Sequence, residues 1–280
     1  MMFLAFVIAL ILLQVWGSGG PVQRDDWFYA WLSRLSARGL EGAAGLALAV
    51  LAPSLLVLWL LHLIEGVLFG LFWIVLATVL LLYAMGRGDF DEFMARYRHF
   101  CAAGDFQGGW LAMSAALDLR DAPAPSSPAE AHEVVQRAFF YEACQRWFAV
   151  VFYFFLLGPA GALAYRLLHL CRGYFNETPL QSCLFIADWL PGRLLAATFV
   201  LAGDFVRSRD ILLSGLGEGS RPAATLLFQV GRAALGSTAA NADEAAFASA
   251  AAAENAATRG LISRSAVAWV ALIALVVLID

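Results

Sequence analysis

"FFLLGPAGALAYRLLHL", residues 154–170, is lipid-like over its first two-thirds and then carries Arg166 and His169. Whether the chain is written for a bilayer or for water decides how such a run is read. About half of an ordinary soluble domain is apolar and about a quarter is charged. Here 61% of the 280 residues are hydrophobic and only 14% are charged. A bilayer offers no hydrogen bonds to the backbone, so spanning segments satisfy it internally, and helices are the default. The expected fold class is therefore all-α: a polytopic helical integral membrane protein.

Working outward from the quoted stretch, residues 147–168 read as one span, and 184–206 as another despite Asp188, Pro191 and Arg193. Upstream, 43–85 is too long for one crossing and suits two, with Glu65-Gly66 as the turn. Residues 2–16 form a short apolar anchor and 265–279 a last one. Between them, 17–42 has aromatic residues spaced for one face of an interfacial helix. Residues 86–146 have helical periodicity interrupted by the linker "DAPAPSSPAE", and 207–264 include an alanine-rich helix former. Five regions follow: 1–85 N-terminal membrane helices, 86–146 a helical loop, 147–206 central membrane helices, 207–264 a polar helical loop and 265–280 a C-terminal membrane helix. About four to six crossings are expected.

A net charge of −4 offers no basic patch for nucleic acid. All 18 basic residues are arginine, which a GC-rich coding bias explains. The four cysteines lack C-x-x-C spacing, no zinc pattern accompanies them, and no metal or cofactor is expected. Cys171 and Cys183 flank one short loop, where a disulfide is conceivable only in an oxidising compartment. "GLGEGSRP" at 215–222 lacks the G-K-[ST] of a P-loop and reads as a flexible loop. No Ser/His/Asp, Cys/His or H-E-x-x-H arrangement is present, so no catalytic residue is assigned. Asp89, Asp91 and Glu92 suit a helix N-terminus, and Gly158 and Gly161 suit close helix packing.

If six segments cross, fifteen arginines fall on one side and Arg172 alone on the other. The positive-inside rule then makes the polar regions cytoplasmic and both termini external. The same arrangement brings His62, Glu65, Arg166, His169, Asp188 and Arg193 toward one outer face. Ionisable groups at membrane depth face a cavity or a partner. Two explanations compete: snorkelling with an Arg–Asp pair that locks neighbouring helices, or a pocket for an anionic ligand.

"FFLLGPAGALAYRLL" followed by "DWLPGRLLA" resembles the membrane family that joins the cobalamin-biosynthesis protein CobD/CbiB with AmpE, the regulatory protein of β-lactamase induction. Gly161, Ala162, Leu163, Ala164, Tyr165 and Arg166 match one family motif; Trp189, Pro191, Arg193, Leu194 and Ala196 match the other. The H-P-V and S-P-N-A-G segments of the cobalamin branch are missing, their places taken by "WGSGGPVQRDDW" and "EGSRPAATLLFQ". The length and the helical loop at 86–146 look more like the AmpE branch. That resemblance implies a multi-pass protein of the bacterial inner membrane, functionally paired with a cytoplasmic AmpD-type amidase and concerned with cell-wall recycling and β-lactamase induction.

The favoured expectation is a non-enzymatic sensor or modulator in the lipid bilayer, with Arg166, Arg193, Asp188, His62, Glu65, Tyr165 and His169 around an anionic small molecule. The alternative is an enzyme of the synthase branch making an amide bond with ATP, in which the same arginines clamp a carboxylate substrate. A transporter comes third, because paired broken helices are not evident in the sequence.

Overall fold

The computed structural model describes residues 1–16, 22–86, 89–117, 119, 123–175, 178–236, 239 and 243–279. Residues 17–21 of "WGSGGPVQRDDW", the start of the 121–130 linker, Arg87, Arg120 and Asp280 lie outside them. The described residues form helices and no strand: α1 (Met2–Trp16), α2 (Asp26–Ser36), α3 (Gly42–Ile64), α4 (Leu71–Ala84), α5 (Phe90–Ala102), α6 (Phe106–Ala116), α7 (Pro128–Ala143), α8 (Ala149–Leu170), α9 (Thr178–Ala202), α10 (Phe205–Gly217), α11 (Ala223–Leu235) and α12 (Glu244–Ile279). By length and composition, five helical stretches suit a bilayer: Gly42–Ile64, Val67–Ala84, Pro128–Leu170, Thr178–Ala202 and Ala245–Ile279, while α1 is a shorter apolar helix. Glu130, Glu133, Arg137 and Glu142 keep α7 out of hydrocarbon, as Glu254, Arg259 and Arg264 do for the first part of α12. The membrane portions of these two long stretches are α8 and the residues after Arg264.

The chain divides into two compact units, of which the first is Met1–Gly88 with Gln145–Asp188. Here α1 and α4 lie side by side in the same direction. Met1 packs its sulfur on Gly70, the Thr78 hydroxyl donates to the Ala5 carbonyl at 3.3 Å, and Gln23 donates to the Leu82 carbonyl at 3.0 Å. The amphipathic α2 buries Phe28, Leu32 and Leu35, a spacing that lines one helix face. Each such side chain is worth about 1.5–3 kcal/mol against exposure. The turn between α3 and α4 falls where the sequence puts it, and closes through Leu68, Phe69 and Gly70, all with positive φ.

The apolar run that opens α8 does not cross as one rod. Gly158 has φ 75° and ψ −173°, a conformation for glycine alone, and Pro159 has no N–H to carry the ladder across it. Twelve residues of straight helix span about 18 Å, yet the rings of Tyr153 and Tyr165 stack with centroids 5.1 Å apart. The chain therefore doubles back. Its first arm starts at the end of α4, where the Gly86 amide donates to the Arg146 carbonyl at 3.1 Å, and runs out to Phe155, which packs edge-on against Phe6. The second arm returns, bringing Arg166 within 3.6 Å of Asp25. Residues 147–168 are therefore a helical hairpin rather than one straight rod, each arm being shorter than the roughly 20 residues of a full crossing. The turn itself is open, with Leu156 and Leu157 exposed, while Pro159 through Leu163 of the returning arm are all buried.

The second unit is Asp89–Cys144 with Trp189–Asp280. Helices α5, α6 and α10 start on side-chain caps: Asp89 accepts from the Glu92 amide at 3.1 Å, Asp105 from Gly108 at 2.8 Å and Asp204 from Arg207 at 3.2 Å. Met94, Tyr97, Phe106, Met113, Val135, Phe139 and Ala251 share its core. Arg259 of α12 grips Asp91 of α5 at 2.7 and 3.0 Å, and its guanidinium holds that carboxyl below the usual carboxylate range. The pair is half exposed, so it is worth no more than about 1 kcal/mol. The alanine-rich stretch is helical within α12, as its propensity predicts.

Candidate functional site

On the returning arm of α8, residues from distant parts of the sequence meet around two carboxylates. Asp188 of α9 is 5% exposed. Its Oδ1 accepts from the Tyr165 hydroxyl at 2.6 Å and lies 3.3 Å from His169 Nε2, while Oδ2 lies 4.0 Å from Arg172. The imidazole packs on the Tyr165 ring, and its Nδ1 has no hydrogen-bond partner among the described residues. Tyr153 stacks on the other face of this group and donates to the Ala187 carbonyl at 2.8 Å. Asp25 forms the second centre, accepting from the Tyr83 hydroxyl at 2.9 Å and facing Arg166 at 3.6 Å.

Among the described residues, two guanidinium groups face these two carboxylates. A direct guanidinium–carboxylate hydrogen bond measures about 2.7–2.9 Å, and the 3.6 and 4.0 Å separations at Arg166 and Arg172 are longer. Tyrosine hydroxyls make the shorter contacts.

The structure brings Tyr165, Arg166, His169 and Asp188 together and leaves His62 and Glu65 elsewhere. Those two pair with each other at 3.8 Å, with side chains 81% and 57% exposed, at the far end of α3. The start of α3 shares the core of the returning arm, and Gly45 faces the Phe175 ring. Within the first unit the hairpin returns Arg166 and His169 to the end where α3 begins and α4 finishes, away from His62 and Glu65.

Arg193 belongs to the second unit and spends its donors on backbone. It is 3% exposed, stacks over the Trp189 ring at 4.0 Å, and donates to the carbonyls of Trp189, Glu218 and Arg221 at 3.2–3.4 Å. Trp189 Nε1 donates to the Gly219 carbonyl at 3.0 Å. The loop at 215–222, flexible by composition, is pinned by the tryptophan and arginine of the second motif.

Asp25, Tyr83, Tyr153 and Arg172 are network members that sequence reasoning missed. Arg172 stood out as the lone arginine of its loop. Nothing in local spacing links Asp25 or Tyr83 to Arg166, because the hairpin that joins them rests on two dihedral angles at Gly158. Cys171 and Cys183 are unbridged, the first buried and the second exposed. Among the described residues no group of histidine, cysteine and carboxylate side chains could hold a metal ion.

Comparison with known proteins bears on this geometry. The cobalamin biosynthesis protein CobD of Chromobacterium violaceum is 30% identical over 178 residues, covering 59% of this chain and 53% of that protein. The chain thus spans about half the length of the curated relative it matches. No solved structure matches. The family model described as "Regulatory signalling modulator protein AmpE" matches residues 1–277, taking in the helical hairpin, the Asp188 network and the pinned loop alike. With agreement over almost the whole chain, this protein belongs to the AmpE family of regulatory signalling modulators.

Proposed function

We propose that this chain is a non-enzymatic modulator of the bacterial inner membrane, whose Asp25–Arg166–Asp188 network takes an anionic small molecule and links its presence to cell-wall recycling and β-lactamase induction. The observation that carries the reading is the network of buried and half-buried ionisable groups on the returning arm of α8. Buried ion pairs add little net stability, so such groups at membrane depth are better explained by function. A ligand carboxylate or phosphate competes with Asp25, 3.6 Å away, for the Arg166 fork, whose planar donors suit bidentate recognition of such a group. Freed from Arg166, Asp25 and the start of α2 shift, and the returning arm shifts with them. Arg24, Arg34, Arg38 and Arg146 lie at the same end of the unit, which by the positive-inside rule faces the cytoplasm. A cytoplasmic AmpD-type amidase, as functional partner, works in that compartment.

The test is a β-lactamase induction reporter in a host lacking its own family member. The chain restores induction, and Arg166→Ala and Arg166→Lys, inserted at wild-type level, both fail to. Lysine keeps the charge and loses the fork. Full induction with Arg166→Ala would return Arg166 to a purely structural pair. The likeness to CobD favours a second reading, an amide-forming synthase that clamps a carboxylate substrate on the same arginines. Rescue of a cobalamin-synthesis mutant by this chain would establish it, and failure to rescue is expected.

A further inference from the structure

The second unit contains a cavity of about 320 Å³ between α7, α11 and α12 that the network above does not use. His132, Gln136, Phe228, Arg232, Phe247 and Glu254 line it. His132 is 4% exposed and Gln136 1% exposed, and neither His132 Nε2 nor Gln136 Nε2 has a hydrogen-bond partner among the described residues. Leaving a buried donor unmade costs about 1–3 kcal/mol, and here two occur on one wall.

Their other ends are fixed. The Gln136 carbonyl oxygen accepts from the Thr258 hydroxyl at 3.0 Å, so its amide NH₂ turns away from Thr258. The Tyr97 hydroxyl lies 3.2 Å from His132 Nδ1, and with that hydroxyl as donor the imidazole proton sits on Nε2, the tautomer in which Nε2 faces the cavity as a donor. Glu254 is the opposing acceptor. It takes the Ala239 amide at 3.2 Å, and its oxygens lie 3.9 Å from His132 Nε2 and 3.8 Å from Arg232, too far for direct hydrogen bonds.

From this convergence we infer that the cavity binds a neutral small molecule through a hydroxyl or carboxamide group, with its apolar body against Phe228 and Phe247. Such a group accepts from His132 Nε2 and Gln136 Nε2 and returns a hydrogen to Glu254. An anion is opposed by charge, because Glu130 and Glu133 also line the cavity and Arg232 already faces both Glu133, at 3.7 Å, and Glu254. Burial agrees with this at the histidine: it pushes the His132 imidazole down to about 4, hence neutral. The volume lies at the lower end for small-molecule sites.

The test uses the full chain in lipid nanodiscs, empty nanodiscs as the blank, and ligand-observed NMR with four probes of one shape: benzamide, benzyl alcohol, benzoate and benzylammonium. Benzamide or benzyl alcohol should give saturable binding at roughly millimolar concentration while benzoate does not, and Gln136→Leu or His132→Phe should weaken that binding about fivefold or more. The Arg166→Ala variant should bind the neutral probes as wild type does, which keeps this site distinct from the membrane network. Benzoate binding at least as well as benzamide, no neutral probe binding above the blank, or binding indifferent to both cavity variants would each overturn the inference. The ranking of probes on the wild-type chain decides the matter even if a variant fails to fold.

Discussion

At His132, burial has a consequence for acid stability. The folded chain keeps this imidazole neutral down to about pH 4, whereas an ordinary histidine takes its proton near 6.5. Between those values the unfolded state binds a proton that the folded state refuses. Stability therefore falls on acidification by about 1.4 kcal/mol per pH unit across that window, and above about 6.5 the effect vanishes. Glu254, with its pKa raised, acts with the opposite sign, contributing stability that is lost as pH rises. The difference between wild type and His132→Gln isolates the histidine: unfolding midpoints in mild detergent should converge as the pH is lowered from 6.5 toward 4, and parallel curves would contradict this. Arg193 makes a second residue-scale case. Two of its three carbonyl contacts, to Glu218 and Arg221, hold the 218–221 turn, so Arg193→Ala should cost on the order of 2 kcal/mol and open that turn to protease, measured by digestion in nanodiscs. Arg193 and Arg166 look alike in sequence, each a charge in an apolar run. Only the structure separates a guanidinium engaged with carbonyls from one facing a carboxylate.

Among the elements, the hairpin of α8 turns on Gly158. An added Cβ there meets nothing within 4 Å, so Gly158→Ala introduces no clash and isolates the backbone cost. A non-glycine residue at φ 75° and ψ −173° is strained by about 1–3 kcal/mol, and the variant should lose that much stability in detergent unfolding. An unchanged midpoint would mean that the reversal at Gly158 is not the native one. The sequence displays the breaker plainly as a glycine followed by proline. Yet residues 147–168 also have the length and hydropathy of a single crossing, and neither property registers a reversal of direction. The amphipathic α2, the cap at Asp89 and the alanine-rich start of α12 were legible because periodicity and capping are local. The meeting of Asp25 with Arg166 depends on the tertiary path and left no local trace.

For the whole molecule, the two ends of the first unit carry different chemistry. One holds the Asp25–Arg166–Asp188 network and the arginines around it; the other holds the exposed His62–Glu65 pair and the apolar turn at Val67–Gly70. Composition and arginine bias give a multi-pass helical protein and a preferred orientation. They do not say which end the second arm of the hairpin returns to, and that decides which compartment the network samples. The account requires the network to open to the cytoplasm. The most direct measurement is labelling of intact cells with a membrane-impermeant maleimide, using single-cysteine variants Glu65→Cys and Tyr174→Cys on a background freed of the four native cysteines; both positions are exposed. The account predicts labelling at 65 in intact cells and at 174 only after lysis. Labelling at 174 with protection at 65 would contradict it.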